Sequence, residues 1–598
     1  MSTSARLNEL EQAENPARDL LVRLGYTFVP REVLAAERED ERGVLLTGRL
    51  TAALMRLNEW MTEDQAQRVI FNLQHIDATG LARNRRIHEY LVYGMPLTVD
   101  RGGRQETPTA RFFDFDHPEG GLNEYVVTTQ FRVRRGNERG SDRTTEDDER
   151  VVKPDLVLFV NGIPLVVMEA KSPTLLEVWK TKAVRQLLRY QEAGAEWHGT
   201  GAPELFDTNL MCVALCGADA AYAAVGAPEN AYAQWKSIEP FTLDTFERRL
   251  GVPPEGQARL IAGLLNPPVL LDVLRDFVVF EPERGRLVKK LPRYQQYRAV
   301  RHAIARILDG RTPSERGGVV WHTQGSGKSL TMLYLATKVR RTPSLQNPTI
   351  VVVTDRTQLD QQISETFRRA SLLEPERAGN TRDLRALLST NNGRTVMTTI
   401  QKFEDALGGD VGPRAALNDA DNVVVMIDEA HRTQYGRLAA KMRAALPNAT
   451  FVGFTGTPID QGFRRTTLGT FGDLIDSYTI PQSVEDGATV PIYYEARLPD
   501  LHVEGAETLD RLFDTLFRDE PEETRAEIRR RYANKETIAE AAKRIEAIAL
   551  DIAEHYRTKV QPNGFKAQVV APSRAAAVKY ADHLASFGLA AYPIITTS

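Results

Sequence analysis

The spacing of apolar positions divides the chain into three textures. From the N-terminus to about 215, helical periodicity gives way to extended runs such as Tyr125-Val-Val-Thr-Thr-Gln-Phe-Arg-Val and Leu156-Val-Leu-Phe-Val, as in an α+β or small α/β unit. From about 217 to 290 the pattern is Ala-rich and helical, with breaks at Pro253-Pro254 and Pro267-Pro268, and predicts a connector with little chemistry of its own. Between about 291 and 480, β-branched runs alternate with helical segments: Gly318-Val-Val-Trp, Thr349-Ile-Val-Val-Val-Thr, Arg394-Thr-Val-Met-Thr-Thr, Asn422-Val-Val-Val-Met-Ile and Thr450-Phe-Val-Gly-Phe-Thr. Strands apolar throughout and spaced by helices predict a parallel sheet covered on both faces. A mixed-charge helical stretch from about 504 to 560 follows, including Glu527-Ile-Arg-Arg-Arg-Tyr, and Lys566-Ala-Gln-Val-Val-Ala predicts one more strand.

Length and charge narrow the picture. A chain of 598 residues has room for three or four domains. Lysine plus arginine (76) nearly balance aspartate plus glutamate (80), which excludes a uniformly basic nucleic-acid coat, so any DNA contact must use a local basic surface. Arg83, Arg85, Arg86, Arg132, Arg134 and Arg135 are candidates to line a DNA groove. Two cysteines exclude a disulfide scaffold. Cys212 and Cys216 fall in one apolar run, too far apart along a strand to bond, and read as buried thiols. The first thirty residues mix Glu9, Glu11, Glu14 and Asp19 among the apolar positions, and no stretch approaches the roughly 18 apolar residues of a membrane helix, so a cytoplasmic protein without membrane contact is expected.

Two segments carry phosphate chemistry. Val320-Trp-His-Thr-Gln-Gly-Ser-Gly-Lys-Ser follows a predicted strand and opens a helix, the setting in which backbone N–H groups point at phosphates. Gly325, Ser326 and Gly327 form the turn, Lys328 can reach the β- and γ-phosphates, and the Ser329 hydroxyl can ligate Mg²⁺. The strict pattern has glycine where this chain has His322. Val423-Val-Val-Met-Ile-Asp-Glu then places Asp428, suited to the Mg²⁺ shell, and Glu429, suited to orienting or deprotonating water, at the end of an apolar strand.

A second constellation lies upstream, where Lys153-Pro154-Asp155 leads through Asn161-Gly162 to Glu169-Ala-Lys171. Asp155 and Glu169 can bind Mg²⁺ and position a water for in-line attack on a phosphodiester, while Lys171 stabilises the developing charge. Asn161-Gly162 between two β-branched runs signals a hairpin. A two-residue loop pairs Asp155 with Met168, whereas a three-residue loop through Ile163 pairs it with Glu169 and puts Lys171 on the same sheet face. The longer loop is therefore expected.

These residues resemble known families. Asp428-Glu429-Ala430-His431 looks like the second motif of the superfamily 2 helicases and DNA translocases, and Thr455-Gly-Thr457-Pro458 like the motif coupling hydrolysis to movement, which implies coupling roles for His431, Thr455 and Thr457. Arg293-Tyr-Gln-Gln-Tyr-Arg-Ala299 sits where such families place an adenine-reading glutamine, with Gln296 favoured over Gln295 by its spacing to Ala299. The segments 354–360 and 398–403 sit where the superfamily contacts the DNA backbone. Asp155, Glu169 and Lys171 resemble the Pro-Asp…Glu-x-Lys nuclease core, and Gln186-Leu-Leu-Arg-Tyr190 the Gln-x-x-x-Tyr element that follows this core, and is thought to support it, in the restriction (R) subunits of type I restriction-modification systems. The wording of Arg83-Asn-Arg-Arg-Ile-His-Glu-Tyr-Leu, Pro154-Asp-Leu-Val-Leu-Phe-Val-Asn-Gly-Ile-Pro and His431-Arg-Thr-Gln-Tyr-Gly436 is also similar to that family.

The resemblance implies an α/β chain with a PD-(D/E)xK-type nuclease domain over 1–216, a helical connector over 217–290, a RecA-like ATP-binding lobe over 291–490, a linker over 491–540 and the incomplete start of a second RecA-like lobe over 541–598. It implies ATP and Mg²⁺ as cofactors, double-stranded DNA as substrate, and methyltransferase (M) and specificity (S) subunits as partners, since no zinc-finger spacing or other base-reading module is present. ATP-driven translocation would then be coupled to cleavage of unmodified DNA. A stand-alone helicase-nuclease of DNA repair and a non-catalytic, ATP-gated DNA clamp are the alternatives.

The second lobe would have 58 residues (541–598 inclusive), against well over roughly 100 for a five-unit parallel lobe at about 30 residues per step. The expectation is an N-terminal portion of a longer subunit or a truncated product, without the arginine that the second lobe supplies to the transition state. Weak ATP binding without useful turnover is the expected outcome in a phosphate-release assay. Robust DNA-stimulated hydrolysis by this polypeptide alone refutes it.

Overall fold

The computed structural model describes residues 9–38, 40–135, 151–354, 367, 375–389, 393–406, 416–428, 441–456, 471–491, 494–495, 522 and 542–593. The chain forms two compact units, Met1–Val490 and Pro491–Ser598. Among the described residues no helix is long and apolar enough to cross a membrane.

The first unit is an α/β structure built on two sheets. The N-terminal sheet has six strands in sequential order: β1 (Thr27–Phe28), β2 (Tyr125–Thr129), β3 (Leu156–Val160), β4 (Ile163–Ala170), β5 (Met211–Leu215) and β6 (Ala220–Ala224). The β1/β2 and β4/β5 pairs are parallel and the other neighbours antiparallel. The central strands are buried along their whole length because helices cover both faces. Strand alternation sends Leu156, Leu158 and Val160 into a core shared with Ala17, Leu20 and Leu21 of α1 (Asn15–Leu24), and Val157 and Phe159 into one shared with Trp179, Ala183, Val184 and Leu187 of α3 (Trp179–Tyr190). Helix α2 (Gly80–Tyr93) lies between α1 and α3 in the chain. Cys212 and Cys216 are free, buried thiols on the β5 run.

The boundary expected at 216 falls inside this sheet. Met211 pairs with Ala224 and Leu215 with Ala220, so the first strand of the Ala-rich stretch is the sheet's own edge. Pro267 and Pro268 open helix α4 (Pro267–Asp276) rather than interrupting one, as proline's missing N–H permits in a first turn. The stretch ends in an antiparallel hairpin, β7 (Val279–Glu283) and β8 (Arg286–Lys290).

The second sheet has seven strands: β9 (Gly318–His322), β10 (Thr349–Thr354), β11 (Glu376–Arg377), β12 (Thr395–Thr399), β13 (Val423–Ile427), β14 (Thr450–Thr455) and β15 (Leu474–Tyr478). Their spatial order is β11-β12-β10-β13-β14-β9-β15, and every pair is parallel. Helices α5 (Tyr294–Asp309) and α6 (Lys328–Arg341) pack on the side facing the N-terminal body, and one apolar core runs without a break from α1 to α6. Connector helix α4 sits at the junction. Its Phe277 flank packs on Tyr297 and Tyr334 at ring-centre distances of 4.9 and 5.3 Å. Asp272 and Asp276 take Lys338 between them, Asp276 also binds Arg341 at 3.0 Å, and Arg341 donates to the Tyr93 hydroxyl of α2 at 2.6 Å.

In the second unit, α7 (Ala542–His555) and α8 (Arg574–Ser586) pack through Ile545, Ala549 and Ala553 against Ala576, Tyr580 and Leu584. The strand expected at 567–571 is irregular backbone with Val570 86% exposed. A strand needs a ladder, and no other strand lies among this unit's described residues. The expected terminal strand at 594–598 and most of the helical stretch from 504 lie outside the described residues.

Lys289 of β8 is fully buried, donating to Asn84 Oδ1 at 3.0 Å and to the Asn209 carbonyl at 2.8 Å. Burial pulls its amine down from 10.5 to about 7. The unfolded chain binds the extra proton throughout that interval, so stability rises with pH, by up to about 1.4 kcal/mol per unit. Below pH 7 the buried amine is charged in both states and the contribution levels off. Denaturant titrations of the chain and of Lys289→Met should differ by this slope between pH 7 and 10; parallel profiles would show that Lys289 does not titrate as its burial requires.

Candidate active site

The β3–β4 hairpin fixes the first site. Val160 pairs with Ile163, leaving a two-residue turn at Asn161-Gly162 with φ of +52° and +79°. The expected three-residue loop is therefore not formed. Instead, the ladder shifts between Pro164 and Val166, so that Leu165 is an extra residue and Met168 faces Leu156. One step farther along, that register places Asp155 opposite Glu169. The turn is held tight from outside. Asn161 donates to the carbonyl of Phe112 and accepts from the amide of Glu124, both at 2.8 Å, and the Gly162 carbonyl accepts from Leu46 at 2.9 Å. A Cβ at Gly162 would come within 2.6 Å of the Leu46 oxygen, so the crowded turn cannot widen and the shift is taken up in the strand.

Asp155, Glu169 and Lys171 come together on the α3 face of the sheet, 7%, 1% and 2% exposed. Lys171 Nζ donates to Glu169 Oε1 at 2.5 Å and to the Ala170 carbonyl at 2.8 Å. Asp155 accepts from the Ala170 amide and from Gln130 Nε2, both at 2.8 Å. Burial, then the Asp155 charge, holds the Glu169 carboxyl well above its ordinary range. Burial opposes the charge on Lys171, but Glu169 and Asp155 outweigh it and the ammonium is strengthened. Gln186 donates to the Tyr190 hydroxyl at 2.5 Å, and that hydroxyl donates to the Lys153 carbonyl at 3.3 Å. The Gln-x-x-x-Tyr pair thus holds the segment that presents Asp155.

Two residues of this group were missed in the sequence. Glu14, just before α1, is buried and accepts from Gln130 Nε2 at 3.2 Å, so one amide bridges Glu14 and Asp155. Burial, then the Asp155 charge, raises Glu14 to about 7. Its only sequence signal is a glutamate beside the buried positions Ala13 and Ala17, and nothing local links it to Asp155. Among the described residues no three or more His, Cys, Asp or Glu side chains form a ready-made metal cage. Yet Glu169 Oε2 is buried without a hydrogen-bond partner. Two carboxylates with one free oxygen suit Mg²⁺, which keeps several waters and binds through one or two carboxylates plus phosphate.

The second site lies at the carboxyl ends of β9, β13 and β14. Gly325 and Gly327 have φ of +82° and +83°, turning the chain from β9 into α6. Gln296 Nε2 donates to the carbonyls of Ser326 (3.3 Å) and Gly327 (3.1 Å), while its Oε1 accepts from the Arg293 amide (2.9 Å). Gln296 therefore braces the phosphate loop. Ser326 Oγ is buried without a partner, and a Cβ built on Gly456, at the end of β14, would lie 2.5 Å from Lys328 Nζ. These features set the unpartnered Ser326 hydroxyl and Lys328 on a left-handed glycine turn at the head of α6, beside Ser329, a cradle that fits a polyphosphate. Asp428 and Thr455, both buried, end the strands beside it. His322 is buried with Nε2 2.7 Å from Asp476 Oδ2, an acid also bound by Arg298. The side chain standing where the strict pattern has glycine thus ties β9 to its neighbour β15. Glu429, His431, Thr457 and residues 355–360 lie outside the described residues.

The arginines proposed for a DNA groove are engaged within the protein. Arg83 binds Asp207 (2.7 Å), Arg85 and Arg86 bind Glu89 (3.1 and 3.2 Å), and Arg132 and Arg134 bind Glu41 (3.1 and 3.6 Å). Arg135 also has a partner.

Two family models match the chain. Residues 6–231 match the family described as type I restriction enzyme R protein N terminus, and residues 295–526 match SWI2/SNF2 ATPase. A Methanocaldococcus jannaschii protein named as a type I restriction enzyme endonuclease subunit is 32% identical over 96% of this chain and 54% of its own length. The type I restriction enzyme HindI endonuclease subunit of Haemophilus influenzae is 34% identical over 90% of this chain and 50% of its own. The chain thus spans about half the length of the curated relatives it matches.

Gly327 provides a direct test of the cradle. A Cβ there would sit 2.5 Å from Gln296 Nε2 on a left-handed backbone that costs other residues about 1–2 kcal/mol. Gly327→Ala should weaken binding of a fluorescent ATP analogue by about tenfold or more, with cooperative unfolding retained. Unchanged affinity would mean that this loop does not hold the nucleotide.

Proposed function

We propose, from the premise that the chain belongs to the type I restriction enzyme endonuclease-subunit family, that it couples ATP-dependent DNA translocation to Mg²⁺-dependent cleavage of unmodified double-stranded DNA. The observation that carries the reading is the buried group of Asp155, Glu169 and Lys171, held in one register and leaving one carboxylate oxygen free. Asp155 and Glu169 would hold the Mg²⁺ of the nuclease site. When bound, that ion supplies Lewis-acid polarisation of the scissile phosphate and lowers the pKa of the attacking water. Lys171 stabilises the negative charge that builds on the phosphate oxygens as water attacks in line and the opposite P–O bond breaks. Gln186 and Tyr190 keep the Asp155 segment in place.

In the second site, Gly325, Ser326, Gly327 and Lys328 grip the ATP phosphates, with Ser329 and Asp428 placed for its Mg²⁺. Glu429 is assigned the attacking water, and His431, Thr455 and Thr457 the coupling to movement. An adenine contact by Gln296 would require its amide to serve both the base and the loop. Base recognition is assigned to M and S partner subunits, and the assembly to the cytoplasm.

The test is cleavage of unmodified duplex DNA with Mg²⁺ and ATP, the chain being assayed with and without M and S subunits. Lys171→Ala and Glu169→Gln should each lower cleavage by about 100-fold or more while DNA binding persists. Undiminished cleavage in both variants would remove the nuclease assignment.

A further inference from the structure

We infer that the outer face of α3 is a cradle for the sugar-phosphate backbone of the DNA strand that enters the Asp155–Glu169–Lys171 site. The inference rests on the nuclease reading and adds its substrate contact. Lys182, Arg185 and Arg189 are spaced i, i+3 and i+7, within about 60° of the helical wheel. Lys182 and Arg185 are exposed, and the Arg189 guanidinium lies 5.3 Å from the centre of the Tyr190 ring. None of the three has an ion-pair partner among the described residues, unlike the arginine-rich segments of α2 and 132–135.

These three cations border an open cleft of 740 Å³ with Lys171, Gln186 and the half-buried Trp197. The cleft therefore joins the basic face directly to the candidate catalytic lysine. Its one acid, Glu196, is folded back over its own loop, its carboxylate 2.5 Å from where a Cβ on Gly194 would stand. The rise from Lys182 to Arg189 is about 10 Å, a length of duplex axis over which one strand presents about three phosphates at about 3.4 Å of axis each. A ledge of this sign has a physical task. Glu14, Asp155 and Glu169 concentrate acidic groups at the site, and a polyanion approaching them needs cations along its path.

The experiment uses the full chain, a fluorescent DNA duplex and EDTA, so that binding is read without cleavage. Lys182→Gln/Arg185→Gln/Arg189→Gln should make the plot of log binding constant against log salt concentration shallower by about 2 to 3, near 0.9 per lost phosphate contact. Arg185→Cys carrying a benzophenone maleimide should crosslink to the duplex on irradiation, the native Cys212 and Cys216 being buried. An unchanged salt slope with no crosslink overturns the cradle, and does so whether or not the chain cleaves DNA. A reduced slope with a crosslink, in a chain that never cleaves even with its partners, upholds the cradle and removes the nuclease reading instead.

Discussion

Placing two carboxylates and an ammonium side by side under a layer of apolar side chains is the constraint that organises the N-terminal half of this protein. Each buried ion loses several kcal/mol of hydration, and the loss is recovered only if every charge finds a fixed partner. Asp155 finds the Ala170 amide and Gln130, and Lys171 finds Glu169 and the Ala170 carbonyl. All of these partners depend on the β3–β4 register. A slip of one residue would set Met168 opposite Asp155 and turn Glu169 toward the α1 face, because strand side chains alternate. The irregularity at Leu165 and the crowding of Gly162 against Leu46 are thus part of the geometry of the candidate site, although neither contributes a polar atom to it.

The same logic of paired burial joins the two candidate sites. Helix α6 begins at the phosphate loop and ends, about 20 Å away, at Lys338 and Arg341. Those cations meet Asp272 and Asp276 of α4 and Tyr93 of α2. Asp276 is only 5% exposed and is held by both Lys338 and Arg341, so its buried charge stays compensated only while α4 and α6 remain docked. The connector, expected to carry little chemistry, is therefore the element through which the nucleotide loop and the carboxylate site belong to one body.

What was legible in the sequence followed from strong local pattern. The apolar strands of the seven-stranded sheet, the Gly325–Gly327 turn at the head of a helix, and the need for Asp155 to face Glu169 could all be read from residue order. The means of satisfying that need could not. Leu165 lies in an uninterrupted apolar run, where a bulge leaves no mark, and the turn that forbids a longer loop is set by Leu46, more than a hundred residues away. Ala220–Ala224 has the composition of a helix and becomes a strand because β5 offers it an edge. Residues 567–571 have the composition of a strand and form none, with no neighbouring strand to pair with among the described residues. Glu14 and His322 were obscure for a related reason, since their partners, Gln130 and Asp476, lie more than a hundred residues along the chain.

Charge was the property that sequence represented least well. A near balance of 76 basic and 80 acidic residues says nothing about which charges remain available after folding. The arginines proposed from the sequence to line a DNA groove, from Arg83 to Arg86 and from Arg132 to Arg135, are engaged by the fold with its own acids and carbonyls. The cations of α3 are dispersed by helical spacing and look unremarkable in a linear reading, yet they converge on one face because residues three, four and seven apart share it. A surface field able to hold a polyanion therefore arises from unpaired charges that secondary structure aligns, and an almost neutral chain can carry one where its acidic site requires it.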